Sequence, residues 1–216
     1  MRMLSLVVGF VLAVVLYACG WASAQSTPLH LLIYGDSLTA WSNQQGFTTR
    51  VFDQTLASTW PGLLHLSRPD VVISEQSNGG ATCGELSKRF SGIGAKFPAD
   101  SVVIECGTND VLENVPPHQT LSDVLALMDA KPKARYIVIL PPARFRPLEP
   151  AGWDASIAAV RSVFLSLQSS RPGYQIVVID PLGVTDWQCS PDDPHLCANG
   201  HKAMADSVLS MIGVAR

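Results

Sequence analysis

Five short, almost purely apolar runs punctuate this chain, and their spacing constrains its fold more than any other feature. They are Leu29–Tyr34, Val71–Gln76, Ser101–Cys106, Tyr136–Leu140 and Gln175–Ile179. Each is rich in Val, Ile or Leu and is bounded by Gly, Pro, Asp or Asn. A strand with one wet face alternates polar and apolar residues; continuous runs of this kind suit strands covered on both faces, as in a parallel sheet. Between them lie longer stretches read as helices: Gln45–Thr59, Cys83–Ala95, Thr120–Ala130, Trp153–Gln168 and Asn199–Ile212. Strand and helix in alternation predict an α/β protein, a three-layer α/β/α sandwich around a five-stranded parallel sheet.

That architecture says where chemistry can sit. Ligands of open parallel sheets bind beyond the carboxyl ends of the strands. The loops there hold Gly35-Asp36-Ser37-Leu38, then Ser77-Asn78-Gly79-Gly80-Ala81-Thr82, then Gly107-Thr108-Asn109-Asp110. Glycines let backbone approach a ligand, and Asn and Ser offer hydrogen-bonding side chains. A serine after a strand is by itself more often a helix cap than a nucleophile. Ser37 therefore needs a base. Of five histidines, His30 lies in the first apolar run, and His65 and His118 in loop-like surroundings. His195 differs, because Asp192 stands three residues before it in Asp192-Asp193-Pro194-His195 and Pro194 stiffens the turn. A carboxylate on one imidazole nitrogen leaves the other free as a base.

The first segment reads as an export signal. Met1-Arg2-Met3 is followed by an apolar run from Leu4 to Ala18 and by Ala22-Ser23-Ala24, a small-x-small cleavage pattern. The run falls short of the roughly 20 residues of a membrane-spanning helix. Residues 1–24 are thus expected to be a signal peptide and residues 25–216 a single domain, with no stable membrane span in the mature chain. Cys19, in Leu16-Tyr17-Ala18-Cys19-Gly20, offers lipoprotein processing as a second route. Either way the protein is expected to be secreted or periplasmic. A formal net charge of −3 and a pI near 5.9 argue against a nucleic-acid-binding surface. Four cysteines remain beyond the export segment, an even number suited to an oxidising compartment.

Taken together, the blocks resemble the SGNH, or GDSL-type, hydrolase superfamily. Gly35-Asp36-Ser37-Leu38 matches its signature block, Gly80-Ala81-Thr82 its glycine block, Gly107-Thr108-Asn109-Asp110 its asparagine block and Asp192-x-x-His195 its terminal block, in the family's order. Trp60-Pro61-Gly62-Leu63-Leu64 adds a likeness to small secreted bacterial esterases of the thioesterase I/lysophospholipase L1 type. The resemblance implies a flavodoxin-like sheet and a secreted serine esterase, acting on carboxylic esters or thioesters through an acyl-enzyme on Ser37. His195 would be the base and Asp192 its orienting partner. The backbone N–H groups of Ser37 and Gly80 and the Asn109 amide would form the oxyanion hole. The α/β-hydrolase alternative has the same residue order but needs Gly-x-Ser-x-Gly, and here Thr39 stands in place of the second Gly.

Leu196 and Cys197 replace the Pro-Asn common in the terminal block, so Cys189 and Cys197 bracket the Asp-His pair. Bridges Cys189–Cys197 and Cys83–Cys106 are expected, the second joining the loops of Gly80 and Asn109. A zinc site from Cys189, His195, Cys197 and His201 is the rival reading, set aside because the serine-hydrolase set is complete; neither metal nor cofactor is expected. Trp41 either walls the substrate pocket or packs beneath the nucleophile loop, and Arg144, Phe145 and Arg146 follow the fourth run as further candidates for substrate contact. Asp110 and Asp180 read as turn braces. Partners are a small acylated substrate and no nucleic acid, for a monomer. Carbohydrate O-deacetylation, acyl transfer and an inactive carbohydrate-binding or adaptor role are the alternatives.

Overall fold

The computed structural model describes residues 28–39, 48–51, 58–94, 96–146, 148–183, 187–190 and 193–212. The export segment with Cys19, Trp41 and Asp192 lie outside them, as do the side chain of Cys189 and with it the bridge to Cys197.

Each of the five apolar runs forms a strand: β1 (Leu29–Gly35), β3 (Val71–Ser77), β4 (Ser101–Glu105), β5 (Arg135–Ile139) and β6 (Gln175–Ile179). All five are parallel, and with a sixth strand they form a sheet ordered β2-β3-β1-β4-β5-β6. The sixth, β2 (Thr48–Val51), pairs antiparallel along the edge of β3. It overturns part of the helix expected over Gln45–Thr59. Thr-Thr-Arg-Val is β-branched and favours a pleated surface; the exposed edge of β3 supplies the partner that a local helical pattern cannot foresee.

The helices are α1 (Trp60–Ser67), α2 (Cys83–Gly94), α3 (Thr108–Leu112), α4 (Pro117–Asp129), α5 (Trp153–Leu165), α6 (Leu167–Ser170) and α7 (Ala198–Ile212). α1 follows Thr59 with Pro61 in its first turn, where a missing N–H costs nothing. α2 opens on a capping box: the Thr82 hydroxyl accepts from the Glu85 N–H, and the Glu85 carboxylate accepts from the Thr82 N–H at 3.0 Å. The stretch read as one helix from Trp153 to Gln168 breaks at Ser166, whose hydroxyl donates back to the Val163 carbonyl.

Right-handed crossovers set the layers. The chain passes from β1 outward to β3, then back across β1 to β4, β5 and β6. Those opposite directions place α1 on one face and α2, α4 and α5 on the other. α2 packs against α4 and α4 against α5, while α7 packs against α1. The sheet core is fully buried, with Leu31, Leu32, Ile33 and Tyr34 of β1 and Val102, Val103 and Ile104 of β4 at its centre. The reversal leaves a crevice between β1 and β4 at the carboxyl edge, where neighbouring loops diverge.

Candidate active site

The strands that border this crevice end level. Gly35 stands opposite Ser77 on one side and Glu105 on the other. The three motif loops therefore leave the sheet side by side. Gly35 is held to glycine by a close approach, since a Cβ there would run into the Thr39 side chain. From it the chain turns sharply: the Leu38 N–H donates to Asp36 Oδ1 at 2.9 Å and the Thr39 N–H to the Asp36 carbonyl at 3.2 Å. Ser37 sits inside this Asx turn, half-buried. No protein acceptor among the described residues takes its N–H.

The second loop is pinned by the Asn78 N–H, which donates to the Gly35 carbonyl at 2.9 Å, and it tightens where the Ala81 N–H meets the Asn78 carbonyl. Gly80, between them, has φ of 80°, a left-handed conformation that favours glycine. Its N–H also meets no protein acceptor among the described residues. The third loop enters α3, whose first turn carries Asn109. The Asn109 Nδ2 donates to Asp36 Oδ2 at 3.2 Å and to the Ala81 carbonyl at 3.1 Å. One side-chain amide thus ties the Ser37 turn, the glycine loop and the asparagine loop together.

Covalent and polar braces lie beneath. Cys83, at the start of α2, is bonded to Cys106, just after β4, with Cα atoms 5.4 Å apart and both side chains buried. Asp110 accepts from the Cys83 N–H at 2.9 Å and from the Thr120 hydroxyl at 3.0 Å, so it braces α2 and α4 as a structural residue. Burial raises its carboxyl above the usual range. Asp180 likewise pairs with Arg161.

Glu105 is the residue that sequence reasoning passed over. It ends β4 with its carboxylate buried, and its Oε2 accepts from the Asp36 N–H at 3.2 Å and the Thr39 hydroxyl at 2.9 Å. The Trp60 indole N–H reaches the same Thr39 hydroxyl at 3.3 Å. A glutamate inside a run that is otherwise apolar is the signal that would have found it, because lone charges are seldom buried. Burial, reinforced by the charge of Glu105, pushes the Asp36 carboxyl well above the ordinary carboxylate range. Burial raises Glu105 as well, against the hydrogen bonds it accepts.

His195 lies in β8 (Asp193–Leu196), which forms a hairpin with β7 (Gln188–Ser190). Its ring is half-buried. The hairpin is fastened to the loop after β5, where the Gln188 side chain donates to the Arg146 carbonyl and Phe145 stacks between Trp153 and Trp187. Phe145 is therefore buried and Arg144 is paired with Asp154 at 2.9 Å, so neither side chain stands free for a substrate. The Cys197 N–H closes the hairpin onto the Trp187 carbonyl at 2.9 Å. His201, in the first turns of α7, has a buried Nδ1. The structure therefore brings Ser37, Gly80 and Asn109 together, while Asp192 and Trp41 fall outside the described residues.

Comparison with known proteins bears on the fold and the family. No curated protein sequence matches the chain. Solved structures do: an acetylxylan esterase from Geobacillus stearothermophilus superposes with a TM-score of 0.68 at 18% identity, covering 88% of this chain and 96% of that one. The aryl esterase of M. smegmatis gives 0.66 at 17%, covering 86% and 98%, and the psychrotrophic esterase of Pseudoalteromonas 0.65 at 19%, covering 85% and 96%. At those identities the likeness speaks for the fold. The GDSL-like lipase/acylhydrolase family model matches residues 33–203, a span that holds every motif loop described above, and the chain accordingly belongs to that family of ester-bond hydrolases.

Proposed function

We propose that this hydrolase is an exported serine esterase acting through an acyl-enzyme on Ser37, with His195 as general base and Asp192 orienting the imidazole. One observation carries the reading. The Asn109 amide is tied both to the residue before Ser37 and to the carbonyl after Gly80, beside two backbone N–H groups without a protein acceptor among the described residues. Three such donors suit the oxygen of a tetrahedral intermediate. Ser37 Oγ attacks the acyl carbonyl while its proton passes to His195. The imidazolium then gives that proton to the departing alkoxide or thiolate, and water, deprotonated by His195, releases the acid and restores Ser37. The Cys83–Cys106 bridge supports export, because such bonds persist in oxidising compartments. Among the described residues no helix is long and apolar enough to cross a membrane.

The substrate proposed is a carboxylic ester or thioester of modest size. The fold's likeness to an acetylxylan esterase makes an O-acetylated carbohydrate the second reading. A fluorophosphonate probe should label the native protein, and Ser37→Ala should lose both labelling and hydrolysis of p-nitrophenyl acetate. Labelling that persists in Ser37→Ala removes Ser37 from the role. A panel of short and long p-nitrophenyl esters, acyl-CoA, lysophospholipid and acetylated xylan ranks the substrate classes.

A further inference from the structure

Two carboxyl groups lie fully buried beneath the nucleophile turn, and the mechanism above uses neither. Asp36 and Glu105 are 0% and 1% exposed. Their side chains are within hydrogen-bonding reach of each other. Every other partner among the described residues is a neutral donor: the Leu38 N–H and the Asn109 amide on Asp36, and the Asp36 N–H and the Thr39 hydroxyl on Glu105. Among the described residues no Lys, Arg or His acts on either group, and a third carboxyl, Asp110 of α3, adds its charge to the pressure on Asp36. Two negative charges in contact in a dry site, with no cation among the described residues, cannot both persist; such a pair keeps one proton and titrates as a unit.

We propose that Asp36 and Glu105 share one proton as a positioning pair, Asp36 neutral and Glu105 charged, so that the amide of Asn109 is oriented by a neutral acid. The proposal rests on Asn109 being an oxyanion donor. The placement matters because Asp36 Oδ2 and the reacting oxygen would draw on the same Nδ2 group. A full charge on Asp36 would hold that amide tightly and repel the negative oxygen that forms beside it. Charge on Glu105 sits one group further from the reacting oxygen, where the Thr39 hydroxyl and the Asp36 N–H hold it. The shared proton leaves as pH rises, and activity falls as it does.

Glu105→Gln separates this from a merely structural role. A glutamine retains the geometry: its oxygen accepts from the Asp36 N–H and Thr39, and its amide donates to Asp36. It removes the shared proton and leaves the single charge on Asp36. The expected result is a kcat lower by at least about tenfold, short of the roughly 10²–10³-fold loss for deleting a donor, with KM little changed. That fall in activity with rising pH should disappear. In the infrared spectrum at neutral pH, one protonated-carboxyl band of the native protein should be absent from the variant, while any band from Asp110 stays in both. A Glu105→Gln protein with native kcat and native pH profile, or an unchanged carboxyl band, overturns the proposal. If that variant does not fold, the band is read in Asp36→Asn, where its persistence overturns the proposal equally. Fluorophosphonate labelling, lost in Ser37→Ala and retained in Glu105→Gln, tells failure of this proposal from failure of the nucleophile assignment.

Discussion

Asn109 meets two demands. It fastens three loops, and it is the side-chain donor that the proposed reaction needs. Its two hydrogen bonds, at 3.1 and 3.2 Å, are long for amide donors, so either N–H can turn toward a stronger acceptor without a large penalty. Asn109→Ala should therefore lower kcat by about 10²–10³-fold with KM little changed, measured on p-nitrophenyl acetate. A parallel rise in KM would mean that the amide serves ground-state binding. Ser37, Gly80 and Asn109 were legible because each stands in a short motif at a strand end. Glu105 was not, since an isolated glutamate carries no motif; only the fold shows that β4 ends against the turn of Asp36.

At the scale of elements, the Cys83–Cys106 bridge joins the start of α2 to the end of β4, across a separation of 23 residues. Cross-linking so long a segment restricts the unfolded chain by about 3 kcal/mol. The double variant Cys83→Ala/Cys106→Ala should lose roughly that much stability in urea unfolding, and turnover should fall with it because both loops of the proposed oxyanion hole hang from the bridged elements. Loss of turnover with unchanged stability would show that the bridge acts on the loops alone. The pairing was expected as the second bridge, once Cys189 and Cys197 were assigned to each other, and it joins the loops of Gly80 and Asn109. β2 was illegible for a different reason. Thr48–Val51 is a strand only because β3 offers an open edge, and an edge pairing has no local signature. The opening of α2 was legible in Thr-x-x-Glu, a capping box that the reading passed over. Thr82→Ala should cost about 1 kcal/mol of stability by the same urea assay.

The whole molecule integrates buried titratable groups of opposite tendency, and His201 is the clearest of them. Burial lowers its pKa from 6.5 to about 4, and its Nδ1 lies buried among the first turns of α7. Above pH 6.5 the ring is neutral whether the chain is folded or not, and its contribution to stability is at its full value. As pH falls below that, the unfolded chain takes up a proton that the folded one refuses, so stability drains away until the folded ring also protonates near pH 4. The full loss is at most about 3 kcal/mol. Asp36 and Asp110 work the other way: their raised values keep protons in the folded state that the unfolded chain sheds, so their contribution is present in acid and is lost as pH rises. The two tendencies oppose each other as pH changes, so a melting curve of the native protein alone does not separate them. His201→Leu does. The stability difference between the native protein and this variant should shift by up to about 3 kcal/mol in the variant's favour as pH drops through that window, measured by urea unfolding at several pH values. A difference that stays constant would show that the His201 ring is solvated well enough to charge in place.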